Sequence, residues 1–258
     1  MTSPEKWQNW LASRNRFFSD PAGFLSITTI GWLTEQPQEI VGVSGQWSAT
    51  GKTISVINSN SGDFSWDIND DIQIDFDGIK VELAIRNNQM VIRPRDPNSE
   101  MLKSFESVIT FDYDPKFAVT AELIPFDAPK EIVVGSVVEG MTIGYISPGS
   151  VEFEFEGESY RLTAFDKTGT KDLVMIYKDA TSGIMSYGTG RSVTASFQED
   201  GTYLLDFNYS GNFPCSYTDF ATCPIAPIEN RLPFAVEAGE KKPLYRNTVS
   251  GVVSQVHQ

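Results

Sequence analysis

Histidine is nearly absent from this sequence, and its absence excludes much of the commonest enzyme chemistry. The one histidine, His257, is next to the last residue, where a chain is expected to fray. Ser-His-Asp and Cys-His catalysis, histidine general bases and His-ligated zinc sites are therefore excluded. The sequence also contains no G-x-S-x-G elbow, Walker loop or dinucleotide fingerprint.

Cysteine is scarce as well, with only Cys215 and Cys223 in 258 residues. Two cysteines do not form a disulfide framework, and zinc would need two further strong ligands that the sequence does not offer. We therefore expect no metal, no cofactor, and two reduced, buried and inert thiols. A reactive thiolate beside Arg191 or Arg231 is the alternative interpretation.

Long apolar segments are missing too. No run approaches the ~20 residues needed to span a bilayer. The first ten residues, Met1–Trp10, lack the apolar region of a signal peptide. These absences predict a soluble protein that resides in the cytoplasm.

Basic residues are outnumbered, with 20 Lys and Arg against 34 Asp and Glu and a net charge of −14. A chain this acidic repels phosphate backbones and anionic headgroups, so binding to nucleic acid or to a membrane is not expected. The simplest interpretation of the acidity is solubility. Residues 211–258 differ, with four acids and four bases, which indicates a distinct environment for the C-terminal segment.

One helix is predicted, at the N-terminus over residues 4–18. Ser3 can cap it and Pro4 suits its first position. Large apolar residues then recur at helical spacing as far as Phe18, and Asp20-Pro21 ends the helix. An indole-rich face of this kind packs on a sheet in most proteins, and a partner-binding tail is the alternative.

From about residue 40 the apolar positions recur every second residue, which is the period of a β-strand. Ile72, Ile74 and Phe76 alternate with polar residues before the turn signal Asp77-Gly78. Further short strands are predicted at 79–85, 90–92, 151–155, 160–162, 172–177 and 202–208. This pattern predicts an all-β, mainly antiparallel fold with a sandwich-like or barrel-like core, an N-terminal amphipathic helix and a long proline-rich C-terminal loop.

The chain is predicted to form one continuous unit, 1–258. Possible sub-layers are 1–100, with the helix and a first β layer, and 101–258, with a second β layer. The polar loop Asp96–Glu100 separates the two β-rich stretches, and such polar stretches mark boundaries between packed layers.

The segment Asn212–Leu232 is the densest in unusual features, with three prolines, both cysteines and little alternation. A proline-stiffened loop of this length is usually functional or a structural strap. We predict that it folds back over the strand Thr202–Asn208 and the turn Tyr187–Arg191. On that strand Asp206 and Asn208 share one face, and buried polar groups there need partners.

The predicted ligand-binding residues lie in this segment or in the strand and turn that it is predicted to cover. They are Tyr187, Arg191, Asp206, Asn208, Cys215, Tyr217, Glu229, Asn230 and Arg231. Arginine suits an anionic ligand because its fork donates two parallel hydrogen bonds. Turn and capping chemistry is the alternative interpretation for Glu229-Asn230-Arg231.

Several longer runs resemble one family of bacterial and archaeal proteins. The runs are Asp179–Gly183, Tyr187–Arg191, Asp206–Asn208, Ala221–Pro224, Glu229–Pro233 and Ala238–Lys241, with an N-terminal Trp–Arg helix, Gly23–Leu25 and Gly31–Leu33. Together they resemble the domain of unknown function 1684. The resemblance covers nearly the whole chain and implies a protein with no assigned activity.

Three functions fit these observations. The first is a binding module for a small anionic ligand, held by Arg191 and Arg231 under the C-terminal loop. The second is a hydrolase or lyase that uses Asp206 or Glu229 as general base, or Cys215 as nucleophile. The third is a structural or interaction protein in which the motif is a strap. The sequence names no ligand and no oligomeric state.

Overall fold

A computed structural model describes residues 3–255 of the chain, so His257 lies outside the described residues. Strands account for 48% of the residues and helices for 13%, which confirms the predicted all-β class. Across residues 3–255, no helix has both the length and the apolar character that a membrane crossing requires.

The helices are α1 (Pro4–Ser19) and α2 (Glu100–Ser104), with short 3-10 helices in the connections. The strands, in chain order, are β1 (Gly31–Trp32), β2 (Gln38–Ile40), β3 (Val43–Thr50), β4 (Thr53–Ser59), β5 (Gly62–Asp67), β6 (Ile72–Phe76), β7 (Ile79–Arg86), β8 (Gln89–Arg95), β9 (Ala118–Gly135), β10 (Thr142–Phe155), β11 (Glu158–Asp166), β12 (Leu173–Tyr177), β13 (Arg191–Phe197), β14 (Tyr203–Asp206), β15 (Tyr245–Thr248) and β16 (Gly251–Ser254).

The chain divides into two compact units. The first comprises residues up to Asn15, Ser107–Ser216 and Cys223–Leu244; the second comprises Arg16–Glu106, Tyr217–Thr222 and the residues from Tyr245 onward. The expectation of one continuous unit with sub-layers 1–100 and 101–258 stays a prediction.

The first unit is built on a closed barrel of six antiparallel strands. The order is β9-β10-β11-β12-β13-β14, and β14 pairs back to β9. Alternate residues, such as Val151 and Phe153 on β10 and Val193 and Ala195 on β13, join one buried apolar cluster. The period-two pattern in the sequence therefore marks the side of each strand that faces the core.

β14 is shorter than the strand predicted at Thr202–Asn208. It ends at Asp206, and Phe207–Tyr209 forms a 3-10 helix. The Asp206 side chain accepts a hydrogen bond from the backbone N–H of Asn208, which offers the backbone an alternative to the sheet ladder. The predicted shared strand face of Asp206 and Asn208 is therefore wrong.

Helix α1 begins as predicted, because the Ser3 hydroxyl accepts from the backbone N–H of Lys6 at 3.3 Å. Its N-terminal part belongs to the first unit. Trp7 is buried there, and its indole N–H donates to the carbonyl of Asn208 at 3.2 Å. Trp7 of the indole-rich face is therefore packed against the 3-10 helix Phe207–Tyr209, and packing of this face on a sheet stays a prediction.

The second unit contains two four-stranded antiparallel sheets, β2-β3-β4-β5 and β1-β8-β7-β6. Trp47 and Val56 from one sheet, and Val81 and Ile92 from the other, lie in the same buried apolar cluster. The hairpin β6–β7 turns at Asp77-Gly78, where both residues have positive φ, as the primed hairpin turns require.

Candidate functional site

Arg191 opens β13 and is 1% exposed. Its guanidinium donates to the carbonyls of Val236 (2.9 Å), Ala238 and Glu240 (3.2 Å). It also forms an ion pair with Asp179 at 3.4 Å. A guanidinium committed to three main-chain carbonyls fixes the segment 236–240 against the barrel.

Gly239 allows this segment to come so close. Its φ of 74° lies in the left-handed region, and a Cβ at this position would sit 2.5 Å from the carbonyl oxygen of Ser210. A residue with a side chain would have to push the two backbones apart. The glycine of the Ala238-Gly239-Glu240 run is therefore required by packing.

Asp179 is the acidic partner of Arg191. Its carboxylate accepts from the backbone N–H of Val236 at 2.8 Å and from the Thr181 hydroxyl at 2.8 Å. Nearby, the hydroxyl of Tyr177 is 2.7 Å from that of Ser210. Burial raises the pKa of Tyr177 to about 12, with Arg191 opposing and Asp179 assisting the rise, so the phenol stays neutral.

Glu240 is fully buried and joins α1 to the barrel. Its carboxylate pairs with Arg14 of α1 at 2.5 Å and accepts from the backbone N–H of Asn212 at 2.7 Å. Burial raises the pKa of Glu240, while Arg14, the Asn212 N–H and Arg191 oppose the rise. This carboxyl group links the helix to the barrel, and its burial favours the protonated form more than water does.

We expect this buried carboxylate to shape the pH dependence of stability. Its folded-state pKa is raised, so its contribution to stability is present at acidic pH and is lost as the pH rises through the folded-state pKa. Glu240→Gln cannot ionise and should not show this loss. Arg14→Met should show it more steeply, because the opposing cation is gone. Urea unfolding of the three proteins between about pH 4 and 8 measures the slopes, and equal slopes would contradict the expectation.

Asn230 fills the place where β11 and β12 separate. Its side chain accepts from the backbone N–H of Thr163 (2.7 Å) and donates to the carbonyls of Thr163 (2.8 Å) and Ile176 (2.9 Å). It therefore replaces the missing inter-strand hydrogen bonds of the barrel wall. Its neighbours Glu229 and Arg231 are both exposed.

Asp206 and Asn208 remain together although they do not share a strand. The Asn208 amide donates to Asp206 Oδ1 at 2.8 Å and to the carbonyl of Asp114 at 2.8 Å. The same amide oxygen accepts from the backbone N–H of Asp114 at 3.0 Å. The pair thus anchors the chain that enters β9.

The predicted site residues Tyr187, Cys215 and Tyr217 do not all belong to one unit. Tyr187 donates to the carbonyl of Cys215 at 2.8 Å in the first unit. Cys215 and Cys223 are both buried, and residues 3–255 contain no cluster of three or more side chains suited to a metal ion. Tyr217 belongs to the second unit, where its ring is 4.2 Å from that of Phe18.

A cleft of about 520 Å³ lies elsewhere on the first unit, on the outer wall of the barrel. Thr194 and Ser196 face it, and they alternate along β13 with the core residues Val193 and Ala195. The complete lining is Lys6, Trp10, Lys167, Asp172, Thr194, Ser196, Gln198, Leu204, Asp206 and Tyr209. Of the nine residues predicted from the sequence, Asp206 alone lines this cleft.

The two sides of the cleft differ in chemistry. Helix α1 supplies Lys6 and, one turn later, Trp10, whose ring meets that of Tyr209 edge-on at 5.6 Å. The loop after β11 supplies Lys167, which lies 3.4 Å from Asp172. Burial and the charge of Asp206 raise the pKa of Tyr209, so this phenol presents a neutral hydroxyl at neutral pH.

Comparison with known families places the chain. The model of a family described as a protein of unknown function, DUF1684, matches residues 103–241, which is more than half of the chain. The chain belongs to this family. The DUF1684 match spans the barrel strands and every predicted site residue, and it confirms the family resemblance. The N-terminal runs that also resemble the family lie outside the matched residues.

Two further comparisons indicate no activity for this chain. A solution NMR structure of an uncharacterized protein of Haloarcula marismortui is 31% identical, with a TM-score of 0.45, over 54% of this chain and 78% of that chain. No curated protein matches the chain.

Most of the residues that resemble DUF1684 do not line the cleft. Arg191, Asn230 and Glu240 bond to the main chain inside the unit. The lysines and hydroxyls of the cleft were not predicted from the sequence. The alternation of Thr194 and Ser196 with apolar residues could have indicated that these hydroxyls face outward. It could not indicate which other residues lie beside them.

Proposed function

We propose that this protein is a binding module for a small polar molecule that carries an anionic group, held in the cleft on the outer wall of the barrel. The supporting observation is that two lysines and two aromatic residues line the same cleft of about 520 Å³. This volume is typical of small-molecule sites. The ligand class is the one inferred from the sequence, but the proposed site is this cleft and not the region under the C-terminal loop.

Lys6 and Lys167 supply the attraction for the anion. They approach from the helix and from the loop, and both line the cleft. An ammonium group is a compact point charge that reorients freely, so it accepts a carboxylate or a phosphate without demanding one geometry. Asp206 and the hydroxyls of Thr194 and Ser196 provide partners for hydroxyl or amine groups on the same ligand.

Trp10 and Tyr209 supply a broad apolar surface. Aromatic rings of this kind contribute contact area at little cost in side-chain entropy, and each retains one polar group for a hydrogen bond. Their edge-on contact leaves ring surface for the ligand. A molecule with a flat or apolar face and an anionic group therefore fits better than a simple inorganic ion.

Arg191 and Arg231 are not the cations of this proposal. Arg191 is occupied by three carbonyls and Asp179, and Arg231 is exposed. The hydrolase or lyase alternative would use Asp206, the predicted general base that borders the cleft. Cys215 is 0% exposed and Glu229 lies on the surface.

The test is a thermal-shift screen of anionic metabolites, followed by calorimetry with the best ligand on two variants. Lys167→Met removes a cleft cation. Lys171→Met removes a cation from the same loop, where it lies 4.7 Å from the Phe197 ring and does not line the cleft. We expect Lys167→Met to weaken binding roughly tenfold to a hundredfold, the value of one charge-assisted hydrogen bond. Lys171→Met should leave the affinity unchanged. Equal losses in both variants would contradict the cleft.

A further inference from the structure

The second unit contains a buried cluster of charges centred on Glu82 of β7. The two carboxylate oxygens of Glu82 accept from different arginines of β8, Oε1 from Arg93 and Oε2 from Arg95. Arg93 is 1% exposed and Arg95 is 7% exposed. One carboxylate thus serves two guanidinium groups that are both removed from water.

A third arginine adjoins the same carboxylate. Arg86 lies 3.5 Å from Glu82 and 2.7 Å from Asp71. The Arg86 side chain is 19% exposed and that of Asp71 is 45% exposed. The contacting groups are therefore three cations and two carboxylates, and only one of the carboxylates is buried.

The first unit offers a direct comparison, because two of its buried carboxylates each pair with one arginine. Arg191 pairs with Asp179, and Arg14 pairs with Glu240. Within the described chain, the Nε atoms of Arg93, Arg95 and Arg191 alike have no hydrogen-bond acceptor. The distinguishing feature of the Glu82 cluster is therefore its surplus of positive charge.

A surplus of buried positive charge is energetically unfavourable, and it affects the pKa of Arg93. Burial lowers the pKa of Arg93 first, Arg86 and Arg95 lower it further, and Glu82 opposes them. Buried cations are normally paired with an equal number of anions, because an uncompensated charge loses its hydration without replacement. The described residues that contact the cluster do not supply the missing anion.

We propose that a small oxyanion, either a carboxylate or a phosphate group, binds at the Arg86 side of the Glu82 cluster. Arg86 is the most exposed of its three arginines, so an anion can reach it from solvent, where it would share the guanidinium with the half-exposed carboxylate of Asp71. The guanidinium carbons of Arg93 and Arg95 lie 6.0 Å and 5.8 Å from the centroid of the Phe24 ring. Guanidinium groups bind oxyanions through paired, charge-assisted hydrogen bonds.

The test compares inorganic phosphate, acetate and chloride at equal ionic strength by thermal shift. Phosphate or acetate should raise the melting temperature by roughly 2–4 °C once its concentration is about five times its dissociation constant. The stronger of the two identifies the oxyanion. Arg86→Gln should lose this response, Arg86→Lys should keep part of it, and Lys52→Gln, at an exposed turn of the same unit, should keep all of it.

Two results would overturn the proposal: no response beyond that of chloride, or a full response in Arg86→Gln. If Arg86→Gln does not fold, calorimetric titration of the natural chain with phosphate and acetate decides, and absence of saturable heat with both counts against the site. Lys167→Met should retain the oxyanion response, since that lysine belongs to the first unit. The two proposed sites can therefore fail independently.

Discussion

Arg191→Met should lower the free energy of unfolding by about 3–5 kcal/mol, the cost of removing one partner from a buried ion pair. The substitution leaves the buried carboxylate of Asp179 without its cation, and it leaves the carbonyls of Val236, Ala238 and Glu240 without their donor. Urea unfolding followed by circular dichroism measures the loss.

The matched control is Arg161→Met on β11. Arg161 is also a barrel arginine paired with one carboxylate, Glu152, but its side chain is 59% exposed. An exposed pair contributes about 0–1 kcal/mol, so the control should unfold almost as the natural chain does. A similar small loss in Arg191→Met would mean that Arg191 does not fix the segment 236–240.

Asn230→Ala should also destabilise the first unit strongly, by roughly 3 kcal/mol or more, because each stranded buried polar group costs about 1–3 kcal/mol. Three groups lose their partner together, namely the N–H and carbonyl of Thr163 and the carbonyl of Ile176. The alanine side chain cannot bridge β11 and β12, so the barrel wall opens there. Hydrogen exchange at the Thr163 amide should accelerate in parallel.

The neighbouring substitution Glu229→Ala provides the comparison for Asn230→Ala. Glu229 is exposed in the same short run, and surface substitutions usually change stability by no more than about 0.5 kcal/mol. If both variants lost the same stability, the effect would belong to the loop as a whole, and the bridging role of Asn230 would be wrong.

These expectations give most of the family runs a structural explanation. Arg191, Asp179, Asn230 and Glu240 are internal and bond largely to the main chain. Polar groups in such places are tolerated only when their hydrogen bonds are satisfied. The residues of a long specific motif can therefore be needed for folding. The proposed binding cleft lies on a different face of the same barrel.

The local features could be predicted because they depend on nearby residues. Ser3 and Pro4 started the helix, and Asp77-Gly78 set a hairpin, as the structure confirms. The alternation of strands such as Ile72–Phe76 is set by backbone geometry alone. The end of β14 was missed, because a single Asp206 side chain competed with the sheet ladder for the Asn208 N–H.

The site could not be predicted in the same way. Arg191 was expected to hold a ligand, but its partners come from residues 236–240, more than forty positions later. Lys6 and Lys167 line one cleft although about 160 residues separate them. A sequence shows which side chains are polar, but not which distant carbonyl or carboxylate will neutralise them.

The sequence by itself determined the all-β class and the N-terminal helix, because short-range periodicity carries that information, and its motif runs indicated the family. Only the tertiary structure decided that the barrel closes, that Asn230 bridges two of its strands, and which charges are balanced inside. Closure and charge compensation depend on contacts between residues far apart in the chain, and those contacts exist only after the backbone has folded.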